Sequence, residues 1–143
     1  MTIREAINRA DSTKANQYSD EIKMQWLSEL DNRIYNDLFL THEDNPYADI
    51  EPPEEGEEDE RLIFPYTDDS KELLAESPYD VLYPSYIKAK IDETNEEFGK
   101  YANSSAIYNS QYQDYARWYN RSHMPITRYP KGKLICTCQD SPI

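Results

Sequence analysis

Glycine is scarce in this chain: three in 143 residues, Gly56, Gly99 and Gly132, each isolated. No glycine-rich loop can bring several backbone N–H groups to a phosphate, which excludes the common nucleotide-binding architectures. Cysteine and histidine are rarer still, Cys136 with Cys138 and His42 with His123. Zinc needs four ligands, and neither histidine stands at a ligand spacing from the Cys-x-Cys pair, so two reduced thiols and no metal or other cofactor are expected. His42-Glu43 has no second histidine at the His-Glu-x-x-His spacing, and the acidic run lacks the central glycine register of a calcium loop. Long apolar runs are absent too: none approaches the roughly 18 residues of a membrane span, and Met1-Thr2-Ile3-Arg4-Glu5 is not the start of a signal peptide. The expectation is a chain made in a cytoplasm, with no membrane partner. Basic residues are few, 15 against 28 acids, for a formal charge of -13. Duplex DNA is held largely by Lys and Arg on phosphate, so the chain on its own is a poor DNA binder.

What is present fits one small domain. Hydrophobic residues make up 38% and the mean hydropathy is -0.95, so the core is thin, yet 13 tyrosines are too many for a disordered chain. The acid is also unevenly placed. Residues 43–76 carry 14 acids and 2 bases, whereas residues 121–143 carry 4 bases and 1 acid. Acidity therefore describes one connecting stretch, and the tail is basic.

The element order can be read from caps and periodicity. Thr2-Ile3-Arg4-Glu5 is a capping box, followed by Ile3, Ala6, Ile7 and Ala10 on one helical face that ends near Asp11 to Lys14. Ser19 caps a second helix, with Asp20 and Glu21 in its first turn and a stripe of Ile22, Trp26, Leu27, Leu30, Ile34 and Leu38 running to about Phe39. Between Glu43 and Glu60 lie ten acids, three prolines and no base. This segment cannot bury enough apolar surface to offset its ordering entropy and is read as a solvated loop. Arg61-Leu62-Ile63-Phe64 and Glu72-Leu73-Leu74 around Thr67-Asp68-Asp69-Ser70 predict a short β-hairpin, with Pro65 confining the first strand to an edge. From Tyr83 a stripe runs through Ile87, Ile91, Thr94, Phe98, Tyr101, Ser105, Tyr108, Tyr112, Tyr115 and Tyr119 in steps of three and four. The stripe fits one long helix, but Gly99 and Asn103-Ser104-Ser105 supply a stop and then an N-cap, which favours two helices, about Asp80 to Gly99 and Ser104 to Ser122, folded as a hairpin, with Pro84 tolerable only in a first turn. The fold expected is mainly α: a small helical bundle over residues 1–125 with the acidic loop 43–60 inserted. After Pro125 an extended basic tail, residues 126–143, packs poorly within its own domain.

No chemistry stands out. Carboxylate pairs are abundant, but a general acid needs a desolvating pocket that a domain this small and polar scarcely offers, so an enzyme is not expected. The tyrosine stripe reads first as core. Tyrosine also suits a wet subunit interface, so Trp26, Leu30, Tyr108, Tyr112, Tyr115, Trp118 and Tyr119 are candidates for core or for contact between copies. In the tail, Ile126, Arg128, Tyr129, Leu134 and Ile135 are candidates for docking: an extended segment gains backbone hydrogen bonds by adding to a partner's edge.

Certain stretches are familiar together. Asn16-Gln17-Tyr18-Ser19, Trp26-Leu27-Ser28-Glu29-Leu30-Asp31 with Ile34 and Thr41-His42-Glu43, Ser77-Pro78-Tyr79-Asp80 with Tyr83 and Ala89-Lys90-Ile91-Asp92, and Trp118-Tyr119-Asn120-Arg121 with His123-Met124-Pro125 resemble neck proteins of tailed phages and prophages of Gram-positive bacteria, in particular head-tail adaptors (connectors). The acidic loop and the residues after Pro130 carry no such pattern. The resemblance implies a structural virion protein at the head-tail neck, a ring usually about twelve-fold beneath the portal, which offers a platform to the next neck or tail component. Its partners would be the portal protein, that next component and copies of itself, with genome DNA passing through the ring without sequence-specific binding. In the broader adaptor class a C-terminal extension docks on the portal, in some cases by strand addition; here Pro130-Lys131-Gly132 interrupts any such strand. Two alternatives stand beside it: a stopper or tail-completion protein of the same neck, and a soluble acidic module that binds a basic partner.

Overall fold

In a computed structural model, which describes residues 1–48, 50–57 and 61–126, the chain starts at its capping box. The Thr2 hydroxyl accepts from the Glu5 N–H and the Glu5 carboxylate accepts from the Thr2 N–H. Helix α1 (Ile3–Thr13) buries Ile3, Ala6, Ile7 and Ala10, the face that the spacing predicts. Helix α2 (Asp20–Ile34) begins at Ser19, whose hydroxyl accepts from the Ile22 N–H. The path continues as a π-helical turn over Tyr35–Phe39, closed by Leu40 N–H on the Tyr35 carbonyl at 2.9 Å. The extra residue in that turn advances the register, so the consecutive Leu38 and Phe39 both face the core.

The buried face of α2 differs from the expected stripe. It consists of Lys23, Leu27, Ser28, Leu30, Asp31 and Ile34, while Ile22 is exposed and Trp26 is only partly buried. Partners from outside the helix rotate it: Lys23 donates to Asp11 at 2.7 Å, and Ser28 and Asp31 receive donors from the segment that follows the acidic loop.

The expected β-hairpin over 61–74 is also corrected, for no strand forms among the described residues. The segment around Lys71 pairs instead with the chain's start. Ile3 N–H donates to Lys71 O at 3.0 Å, Arg4 N–H to Asp69 O at 2.9 Å and Leu73 N–H to Met1 O at 3.0 Å. Pro65 has no N–H for a ladder, whereas the N-terminus offers free backbone groups beside a core that buries Leu73 and Leu74.

A 3-10 turn at Tyr79–Val81 leads into α3 (Leu82–Thr94), with Pro84 in its first turn, where the missing N–H costs no hydrogen bond. α3 is central, touching α1, α2 and α4, and it buries Leu82, Tyr83, Ile87, Ala89 and Ile91. It folds back as a hairpin on α4 (Phe98–Ser122), as expected, but the break lies at 95–97 and not at Gly99 to Ser104. Glu97 N–H reaches the Asp92 carbonyl and Glu96 N–H the Glu93 carbonyl, both at 3.0 Å, with Glu96 left-handed at φ 60. That hydrogen-bond pair is a Schellman stop built without glycine. Because the chain turns there, Thr94 and Phe98 leave the core, and the stripe resumes at Tyr108. No helix of the described residues is long and apolar enough to cross a membrane.

Candidate functional site

Two places in this bundle bring together side chains from distant parts of the chain. The first is Asp31, fully buried on α2. Its Oδ1 accepts from the Tyr83 hydroxyl at 2.5 Å, and its Oδ2 accepts from the Tyr66 hydroxyl at 2.6 Å and the Leu74 N–H at 3.1 Å. Tyr83 in turn accepts from the Ala75 N–H at 2.7 Å, and the Ser28 hydroxyl accepts from the Tyr66 N–H at 2.9 Å. Among the described residues no cation pairs with Asp31. Burial raises its pKa to about 6 against the opposing pull of the two tyrosines and Leu74. Burial likewise pushes the Tyr66 and Tyr83 hydroxyls far up, so both stay donors. A carboxyl with no exposed surface meets no substrate; this one ties residues 66–75 to α2 and α3. Sequence reasoning missed it as a site, although an acid at i+4 from Leu27 and i-3 from Ile34, inside an apolar stripe, is the available signal.

The second place is the end of the bundle where the tail departs. Residues 124–126 run antiparallel to 41–43: Glu43 N–H donates to Met124 O at 2.9 Å and Ile126 N–H to Thr41 O at 2.8 Å, around a His42–Pro125 bridge. Beneath lies an aromatic stack, with His123 on Tyr119 at 3.9 Å, Tyr119 on Phe39 at 5.1 Å and Phe39 on Tyr47 at 6.0 Å. His42 is buried, its Nδ1 at the Leu38 carbonyl and its ring edge-on to Tyr119 at 4.8 Å. Above this stack Leu40, Met124 (66% exposed) and Ile126 (51% exposed) present apolar surface to solvent.

The candidates for core or contact divide. Leu30, Tyr108, Tyr112, Tyr115 and Tyr119 are buried. Tyr112 is also held by its hydroxyl donating to Asp37 at 3.0 Å, with the Arg33 guanidinium 4.6 Å above its ring. Trp26 and Trp118 sit at the rim, Trp26 edge-on to Tyr18 at 5.7 Å and Trp118 stacked on Tyr79 at 5.1 Å. Of the docking candidates, Ile126 stands exposed at the exit, and Arg128, Tyr129, Leu134 and Ile135 lie outside the described residues. The described residues contain no group of three or more His, Cys, Asp or Glu that could hold a metal ion. No protein-family model matches this chain, and no curated protein or solved structure matches it.

Proposed function

We propose that this chain is a structural, non-enzymatic protein of the neck of a tailed virus particle: a head-tail adaptor that assembles as a ring of copies between the portal and the tail components. The observation that carries this is where the residues of the resemblance come together. They derive from separate segments, yet Tyr18 meets Trp26, Tyr79 meets Trp118, Trp118 meets His123 at 5.8 Å, and Tyr83 donates to Asp31. Residues that fit one another as a frame support a likeness of architecture better than a scattered set would. The basic tail leaving beside exposed Leu40, Met124 and Ile126 supports docking by an extended segment.

The test is to co-express the full chain with the portal protein of the same genome, purify through the portal and image the complex by electron microscopy. The expected result is a ring of this chain coaxial with the portal, on its tail-facing side. A chain that never co-purifies with the portal overturns the adaptor position and leaves the stopper as the reading to test on whole particles.

A further inference from the structure

α4 marks two ends of the bundle, a lysine-lined cleft at its start and the attachment of the acidic segment past its last turn. At its N-terminal end a cleft of about 300 Å³ opens between α1, α3 and α4. Lys14, Lys88 and Lys100 line it together with one acid, Asp92, and the polar Asn103 and Ser104. Lys14 is bound to Asp92 and Lys100 to Glu97, whereas Lys88 makes no ion pair with a described residue. The cleft is therefore modestly positive in a chain of charge -13. From Tyr101 to Gln113 the adjoining helix carries no charged residue at all, so its outer surface meets an acidic body without like-charge opposition.

The acidic segment leaves from the other end. Glu43 is tied to Met124, just past the last turn of α4, and Tyr47 is packed on Phe39 in the same aromatic stack. Along 25 residues of helix at 1.5 Å each, these points lie roughly 35 Å from Lys100. Glu51, Glu54, Glu55 and Glu57 are exposed and make no ion pair with a described residue. A molecule with a lysine-lined cleft at one end and, attached at the other, acidic side chains that pair with no described cation has complementary surfaces that its described residues do not bring together.

We infer that the Lys14, Lys88 and Lys100 cleft receives the acidic segment 51–57 of a second copy, in a head-to-tail contact. Such a contact is heterologous, with different patches on the two partners, and repeats around a ring when its rotation closes. The proposal names the copy-to-copy contact of the adaptor reading and rests on that reading only for the closure of the ring. Individual exposed ion pairs are weak, so the pairing chiefly selects register and direction, with the uncharged α4 surface supplying contact area.

The experiment is a charge swap in the full chain. One variant carries Lys88→Glu and Lys100→Glu, and the other carries Glu54→Lys, Glu55→Lys and Glu57→Lys. Each alone is expected to self-associate roughly tenfold more weakly than wild type in sedimentation velocity, and their mixture to recover association. Recovery requires the two patches to touch between copies, which misfolding of either variant would not produce. In parallel, carbodiimide cross-linking of mixed 14N- and 15N-labelled wild type, free and portal-bound, should join Lys88 of one copy to the 51–57 carboxylates of another. Cross-links confined within one copy, or none between copies in either preparation, overturn the contact. Cross-links between copies in a chain that never binds the portal keep the contact and remove the adaptor position; portal rings without them do the reverse.

Discussion

Asp31 is the residue whose environment is most at odds with its chemistry. A carboxylate prefers water, and here it is fully buried with two phenols, one backbone N–H and no cation among the described residues. Its pKa of about 6 in the folded protein compares with about 4 in an unfolded chain. Between those values the folded state holds a proton that the unfolded chain has released. Stability contributed by the protonated form is complete below about pH 4 and is lost as pH rises through 6, by about 3 kcal/mol at most. Other carboxylates act in the opposite sense. Thr2 holds Glu5 low, Ser70 holds Asp68 low and Lys100 holds Glu97 low. In Asp11 and Asp92 burial pushes the pKa up, but the hydrogen bonds of Lys23 and Asn16 to the first and of Lys14 and Ser104 to the second, together with nearby positive charge, outweigh it. These groups stabilise the fold above about pH 4 and cease to do so in acid. The melting temperature should therefore peak near pH 5 and fall towards pH 7. Asp31→Asn should flatten the fall, leaving only the slope due to self-repulsion of an acidic chain, which both proteins share. Melts of the two proteins from pH 4 to 8 check this, and an Asn variant that falls as steeply as wild type removes Asp31 as the titrating group.

The helical hairpin turns at Glu96, a non-glycine residue at φ 60 in the C′ position of a Schellman motif. A β-carbon in the left-handed region is strained, and glycine relieves that strain while adding freedom to the unfolded chain. Glu96→Gly should thus stabilise the protein by about 0.5 to 1 kcal/mol, seen as a rise of a few degrees in melting temperature. A lowered melting temperature would mean that the Glu96 side chain contributes more than its backbone costs. The same turn shows where sequence reading fails. Gly99 is the visible stop signal, but it lies inside α4, and the residue that turns the chain carries no compositional mark. The capping box at Thr2, the cap at Ser19 and the buried tyrosines of α4 were legible because each depends on neighbours within a few positions. The face of α2 was not, since Lys23, Ser28 and Asp31 look like surface residues until Asp11, Tyr66 and Tyr83 arrive from elsewhere in the chain. Leu73 and Leu74 misled for a related reason: they have a strand's composition, but the Leu73 N–H pairs with the Met1 carbonyl, 72 positions earlier, and the Leu74 N–H with the Asp31 carboxylate. Of the candidate site, the exposed Ile126 was legible as a tail residue, whereas its pairing with Thr41 is a long-range contact that no local pattern announces.

That pairing fixes where the bundle stops. Helical signals end at Ser122, but the ladder to residues 41–43 runs on to Ile126, and His123 covers Tyr119. A chain ending at Ile126 keeps both ladder hydrogen bonds and the stack; one ending at Ser122 loses them and uncovers His42 and Tyr119. The longer truncation should cost about 1 to 3 kcal/mol in unpaired backbone groups and lost ring contacts, a drop of several degrees in melting temperature, and the shorter one should melt within a degree or two of the full protein. Docking should divide differently. Residues 127–143 contain three bases and one acid, so both truncations remove the net positive segment that would speed capture by an acidic partner. They also remove Leu134 and Ile135, the residues read as strand-forming. Circular dichroism and melting of both chains, with capture on purified portal, separate folding from docking. A chain ending at Ile126 that melts normally and is still captured at full strength would move the portal-facing surface from the tail to the helices.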